Sequence, residues 1–493
     1  MSKKVGVIGS GFSGLSAATE LASLGYEVLL FEKNNSPGGR ARSFEAEGFR
    51  FDMGPSWYWM PDVFEKYFSH YGVNISDYFS LSLLDPGFKV IYGDKDELDI
   101  PADFNQLLEM FESIESGSAK KLIKFMNDAE YKYNVGINKL VHKPGLSILE
   151  LFDLQLIMGL FKLDVFKSFE KYINGIFKDE RLRMLLKFPV LFLGAKPQDT
   201  PALYSLMNYA GLKLGTWYPM GGMSELVSAM VSLAKAKGVE IHYNEPVEEI
   251  HASGNIVNKV STNKRTYELD GIIASGDYHH IESKLIAPQF RNYDEDYWDK
   301  KTFAPSSLIF YLGLNKKLDR LEHHNLFFDT QFSVHAKAIY DNPSWPEKPL
   351  FYVCCPSKTD TNVAPQGFEN LFILIPLATG LEDNEDLREE QFNKVIQRLE
   401  KYTSSKITEH IKYKRSYCVN DFKNDYNAYG GNAYGLANTL LQTANLKPSI
   451  RNKKLKNLFY AGQLTVPGPG VPPSLISGKL AARQLNKILN LQS

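Results

Sequence analysis

The spacing of apolar positions divides the chain into stretches of different period. Lys3–Ile8 (KKVGVI) and Glu27–Phe31 are short, β-branched apolar runs, and Leu15–Leu24 between them has helical spacing. Pro61–Phe68 reads as a helix entered on proline. Residues 79–100 alternate as short strands around Gly/Asp turns. From Asp103 to Leu214 the period is helical: Leu107, Leu108, Phe111 and Ile114 share one face, as do Leu122, Phe125, Met126, Ala129 and Tyr133. Helix starts in this stretch are expected at Ser147-x-x-Glu150, Asp164 and Thr200-Pro201. Ser224 is expected to cap a helix that runs to Lys237, with strands at Val239–Tyr243 and Gly271–Gly276. Residues 286–455 alternate strands and turns (Leu308–Leu314, Leu350–Cys354, Leu371–Ile375) around one charged helix, Asn384–Tyr402. The chain closes with a strand at Asn457–Gly462 and a helix at Leu475–Leu489, for which Ser474 is a candidate cap.

The glycines between the first two strands give this pattern a chemical meaning. Gly9-Ser10-Gly11-Phe12-Ser13-Gly14 follows the first strand directly, and Glu32 closes the second. Strand, glycine turn, helix, strand and acid are the parts of a dinucleotide-binding βαβ unit, in order. Gly9 turns the chain, Gly11 lets a pyrophosphate approach the backbone, and Gly14 lets helix and sheet pack closely. The helix N-terminus then offers bare amides to the phosphates. Glu32 is positioned to accept hydrogen bonds from a ribose diol.

The next motifs narrow the reading. Pro37-Gly38-Gly39-Arg40-Ala41 supplies a second close backbone approach and a fixed positive charge, and Phe51-Asp52-Met53-Gly54-Pro55 follows it. Later come Gly221-Gly222-Met223 before a helix and strand, Asn244-x-x-Val247, and the C-terminal run Gly468-Pro469-Gly470-Val471-Pro472-Pro473-Ser474. With these motifs at both ends and in the middle, the whole chain resembles the flavin-dependent amine oxidase and phytoene desaturase superfamily, and its C-terminal turn resembles bacterial-type phytoene desaturases. The resemblance implies FAD as cofactor, held by Gly9, Gly11, Ser13, Gly14, Glu32, Gly39 and Arg40. It implies Gly54 and Pro55 beside the isoalloxazine, the Val247 backbone at the adenine, and Gly462, Gly470, Val471 and Pro472 in the C-terminal flavin turn. The expected fold is α/β: a Rossmann-like FAD-binding domain (1–75, 215–285 and 455–493), a mixed-sheet substrate domain (76–102 and 286–454) and a helical insertion (103–214), an architecture like that of amine oxidases and GDP-dissociation inhibitors.

Composition removes alternatives. At 493 residues the chain exceeds one core, and Lys plus Arg (56) balances Asp plus Glu (57), so no overall field selects nucleic acid. Three cysteines, two adjacent, give no disulfide framework or metal-ligand spacing. No metal is expected, and the pairs His279-His280 and His323-His324 read as surface or loop histidines. No run reaches the ~18 apolar residues of a spanning helix. The expected location is cytoplasmic, peripherally associated with a membrane. Leu149–Phe169 is an apolar stripe fringed by Lys162, Lys167, Lys171, Lys178, Arg181 and Arg183. It reads either as an interfacial membrane face or as the core of a helix pair.

The activity implied by the resemblance is FAD-dependent desaturation of an acyclic carotenoid. The step is either of the phytoene desaturase type or a later one, such as 3,4-desaturation of a hydroxylated carotenoid. Hydride passes to the flavin, which oxygen or a quinone reoxidises. Thirty-one Phe and 27 Tyr suit a long apolar substrate and suit core packing equally. Family alignment places a catalytic acid at Glu150, although leucine (Leu149) stands where relatives carry arginine, and Glu150 is equally the return arm of a capping box with Ser147. Another FAD oxidoreductase (a retinol-type saturase or an amine oxidase) and a non-catalytic, GDI-like prenyl binder are the alternatives. The intact Gly-Gly-Arg argues against the last.

Overall fold

Five parallel strands form the sheet that carries the glycine turn, in the order Leu458–Tyr460, Gly271–Ala274, Lys4–Ile8, Glu27–Phe31, Glu240–His242. The computed structural model describes residues 2–147 and 163–491. The first strand lies at the centre, paired in register with Gly271–Ala274 on one side and Glu27–Phe31 on the other. Covered on both faces, it reads as an unbroken apolar run: Val5 and Val7 are fully buried, each such side chain contributing about 1.5–3 kcal/mol. The helix Phe12–Ser23 packs closely along the C-terminal helix Val471–Leu491. A Cβ on Gly478 would stand 2.0 Å from the Ser13 carbonyl oxygen.

A seven-stranded sheet stands beside this one, ordered Ile411–Tyr417, Ser306–Leu314, Glu369–Leu377, Phe351–Cys354, His324–Phe327, Phe88–Gly93, Asp96–Ile100. All its pairs are antiparallel except His324–Phe327 with Phe88–Gly93, so the short strands near residue 90 join a sheet built mostly after residue 300. Helix Glu385–Thr403, capped by Asn384 through the Leu387 amide, covers its outer face. Helices between Phe104 and Leu212 carry the third group of elements, with Leu107, Phe111, Leu122, Phe125, Met126, Ala129 and Tyr133 buried as their period requires.

Four expected helix starts are corrected. Asp164 lies in a turn at φ +49° and pairs with the buried Lys132 at 2.8 Å; the next helix, Phe169–Asn174, is capped by Ser168. Thr200 donates to the Lys196 carbonyl, and Ala202–Ser205 is a 3₁₀ turn leading into Leu206–Leu212. Helix Ser224–Ala236 is capped from a distance by the Asp52 carboxylate, which accepts from the Met223 and Ser224 amides at 2.7 and 3.2 Å. The C-terminal helix begins at Val471, not after Ser474, and the Ser474 amide already donates to the Gly470 carbonyl. Prolines are tolerated in a first turn because their missing N–H has no intrahelical partner there.

Candidate active site

The glycine turn, the Gly-Gly-Arg turn and the C-terminal turn meet around one cavity of about 1370 Å³. Gly9 takes φ +93°, open to glycine, and its N–H donates to Phe31 as the chain leaves the strand. Gly11 then caps the helix at φ −70°, and a Cβ there would meet nothing within 4 Å: the turn leaves a hollow on the cavity wall. Gly39 lies against it, its own Cβ position 3.3 Å from the Gly11 Cα. Gly14 is different, since a Cβ there would stand 1.8 Å from the Gly9 carbonyl oxygen, so this glycine serves the close packing of the turn.

Gly9, Gly11, Ser13, Glu32, Gly39, Arg40, Gly54, Pro55, Val247, Gly462, Gly470, Val471 and Pro472 all line the cavity; of the sequence-derived cofactor residues, Gly14 alone does not. Glu32 is buried and already occupied on both oxygens. The Ser10 N–H and hydroxyl donate to Oε2 at 2.9 and 2.7 Å, and the Asn34 N–H and side chain donate to Oε1 at 2.9 Å each. It therefore holds the two turns in addition to facing the cavity. Arg40 Nη2 donates to the Asn432 carbonyl at 3.1 Å, while its buried Nε has no partner among the described residues. Burial pulls the Arg40 pKa down and pushes that of neighbouring Asp277 up. A half-buried cation with a spare donor beside a glycine hollow fits a diphosphate, and the residues present therefore fit FAD.

Beyond the turns the lining becomes apolar and aromatic: Trp57, Trp59, Phe64, Phe188, Leu326, Phe328 and Phe332. Leu140, Val141, Phe166, Leu440 and Leu446 also line it. The last three carry exposed apolar surface, Phe166 at 77% and Leu446 at 54%. Glu150 and the stripe from Leu149 to Phe161 lie outside the described residues. Of the basic fringe, Arg181 is paired with Asp179 and Asp96, and Arg183 with Glu180, so these two are tied into the protein surface.

The profile of the flavin containing amine oxidoreductases matches residues 12–486. The chain belongs to this family. Carotenoid 3,4-desaturase from Haloarcula japonica is 39% identical over 98% of this chain and 97% of its own. The zeta-carotene-forming phytoene desaturase of Myxococcus xanthus is 29% identical over 98% and 94%. The 4,4'-diapophytoene desaturase of Staphylococcus haemolyticus is 30% identical over 98% of each chain. Among solved structures, an oxidoreductase from Methanosarcina mazei aligns at TM-score 0.63 with 16% identity (98% of this chain, 100% of that one). Putrescine oxidase aligns at 0.64 with 14% identity, covering 99% of each chain. The protein is an FAD-dependent oxidoreductase of the carotenoid desaturase group, with the fold those structures share.

Several site residues were missed in the sequence. His323 and His324 are buried, not surface histidines: His324 stacks on Trp57, His323 packs against Tyr218, and with Cys354 they place ligand-type atoms within 4.8 Å of one another. Burial lowers the His323 pKa to about 3 and raises that of Asp52 to about 6. Asp52 had a signal, since its carboxylate belongs to the Asp-x-Gly-Pro run. The histidines had none, because their burial depends on an aromatic ring far away in sequence.

Proposed function

We propose that the protein introduces a double bond into an acyclic carotenoid, with 3,4-desaturation of a late, hydroxylated intermediate as the preferred step. The observation that supports desaturation of a long polyene is the cavity: about 1370 Å³, continuous from the glycine hollow to an aromatic and aliphatic lining, and larger than the pocket of a drug-sized ligand. The later step is preferred on the 39% identity to a carotenoid 3,4-desaturase. Bound there, FAD would accept hydride from the polyene. The chain's own task is to hold a long rod in register with the flavin and to exclude water. Trp57 and Trp59, set edge to face at 5.4 Å, supply rigid walls for that purpose. Expression in a host supplied in turn with phytoene, lycopene and hydroxylated carotenoids is expected to yield a new, more conjugated pigment from the hydroxylated substrate. Conversion of phytoene alone would move the assignment to the early step, and conversion of none would reject it.

Membrane docking is part of the same reading. A forty-carbon polyene is practically insoluble in water, so it has to enter from a bilayer. Among the described residues no helix is long and apolar enough to cross a membrane. The exposed side chains Phe166, Leu440 and Leu446 line the cavity, with Leu441 next to the lining residue Leu440 and Val334 next to the lining residue His335. Apolar insertion of these groups should outweigh charge, because each basic residue near an anionic surface adds at most ~1 kcal/mol. Phe166→Ser/Leu441→Ser/Leu446→Ser is expected to lose most co-sedimentation with vesicles at low and high salt while keeping its flavin. Full sedimentation of that variant would put the docking face elsewhere.

A further inference from the structure

We propose that Ser56, Tyr352 and His324 form a proton relay that carries the proton lost in desaturation out of the substrate cavity. The inference rests on the desaturase reading. Desaturation needs somewhere for a proton to go once hydride has left the neighbouring carbon, and a chain of hydrogen-bonded groups that starts on the cavity wall and runs inward can take it. Ser56 and Tyr352 both line it. Ser56 directly follows Pro55, at the point where the lining passes from the glycine turns to Trp57. The Ser56 hydroxyl lies 2.9 Å from the Tyr352 hydroxyl, which lies 2.6 Å from His324 Nδ1. The His324 imidazole is fully buried and stacked flat on the Trp57 indole, with centroids 4.1 Å apart and planes at 10°, so its orientation is fixed.

The relay also has an outlet. The Nε2 atoms of His324 and His323 and the Tyr218 hydroxyl are buried without partners among the described residues. Next to His323, whose ring centroid is 4.5 Å from that of His324, is a separate void of about 20 Å³, lined by Ser56, Asp52, Tyr218, His323 and Cys354. That is room for one water, and the orphaned His323 and Tyr218 atoms are groups that a buried water satisfies. From there His323 Nδ1 reaches the half-buried Thr359 hydroxyl at 2.7 Å.

The chemistry balances as follows. Loss of hydride to the flavin leaves an electron-deficient carbon, and the C–H pair on the next carbon becomes the new π bond. The released proton goes to Ser56 Oγ, the Ser56 proton moves to the Tyr352 oxygen, and the Tyr352 proton moves to His324 Nδ1. A proton next to a carbocation is acidic enough for a weak base, so a strong one is not required. Burial holds the His324 pKa well below the ordinary imidazole range and that of Tyr352 well above the ordinary phenol range. The imidazole therefore rests neutral with a lone pair free, the phenol keeps its proton, and the imidazolium passes its proton on readily.

Tyr352→Phe keeps the ring and removes the link. With the holoenzyme and carotenoid in vesicles it is expected to slow product formation per folded molecule about 100-fold, within the range of lost acid–base catalysis, at unchanged flavin content. The melting temperature should fall only as far as the lost hydrogen bonds to Ser56 and His324 require. The kinetic isotope effect of substrate deuterated at the proton-losing carbon should rise, and that at the hydride carbon should fall. Ser56→Ala should do the same, and it carries the test if Tyr352→Phe does not fold. A readout independent of turnover is ¹⁵N-histidine NMR, assigned with His324→Gln: the neutral His324 should carry its proton on Nε2, leaving Nδ1 as acceptor. The relay is overturned if both variants stay within about twofold of wild type, if the proton sits on Nδ1, or if a stoichiometric metal ion is found on His323, His324 and Cys354. It is overturned too if Glu150→Gln shows the isotope signature and Tyr352→Phe does not. A wild type that converts no carotenoid rejects the desaturase reading itself; an active wild type with unaffected variants rejects the relay alone.

Discussion

Gly11→Val is expected to give a folded, colourless protein. At φ −70° and ψ 178° the Gly11 backbone is in a region valine adopts without strain, and a Cβ there meets nothing within 4 Å. The fold therefore has no reason to resist the change, and melting should move by no more than about 1 kcal/mol. The branched side chain instead fills the hollow between Gly11 and Gly39 that the FAD diphosphate needs. Visible flavin absorbance should disappear at any practical FAD concentration. Gly14→Ala separates this steric effect from a folding one. Its Cβ would lie 1.8 Å from the Gly9 carbonyl oxygen, so it should lose flavin and stability together. Glu32→Ala should fall between the two. It removes charged hydrogen bonds to Ser10 and Asn34 as well as those expected to the ribose, each worth about 1.5–3 kcal/mol. Flavin at normal stoichiometry in folded Gly11→Val would reject the cradle.

What could be read in the sequence was what local chemistry decides. The glycine turn, its flanking strands and the closing acid lie within one βαβ unit, so their spacing alone predicts their geometry. The buried faces of the helices around Phe111 and Phe125 follow from period in the same way. What could not be read depends on partners brought together by the fold. Helix Ser224–Ala236 has a serine where a cap is expected, yet the amides go to Asp52, far earlier in the chain, because a carboxylate is the stronger acceptor and the turn at Gly222 brings it close. His323-His324 reads as polar and hence exposed, and only the Trp57 ring and strand pairing with Cys354 show otherwise. Ser474 is not the cap for a simpler reason: Pro472 and Pro473 stand in the helix's first turn, where a missing N–H breaks no intrahelical bond.

Lys447→Met is expected to stabilise the protein, most strongly below neutral pH. Lys447 is 5% exposed, and its Nζ has no partner among the described residues; the nearby Asn438 Oδ1, also buried, has none either. Both approach Gly468, whose absent Cβ would lie 3.4 Å from Nζ and 3.3 Å from Oδ1. Burial lowers the amine's pKa from 10.5 to about 7, with Lys301 adding repulsion. Between those values the unfolded chain binds a proton that the folded one does not, so wild-type stability rises with pH across this window. Below about 7 the folded state carries a buried, unpaired charge, at a cost on the order of 5 kcal/mol at most, since one pKa unit is worth about 1.4 kcal/mol. Methionine has nearly the same shape and no charge. Its advantage should be largest in acid, shrink as pH rises through the window and nearly vanish above 10.5. Denaturant melts of both proteins, saturated with FAD, between pH 6 and 10 give the comparison. An advantage that does not change with pH would mean the amine is paired or hydrated in the folded protein. A loss of stability in Lys447→Met at every pH would mean the charge is used, with a partner brought to it by the bound flavin.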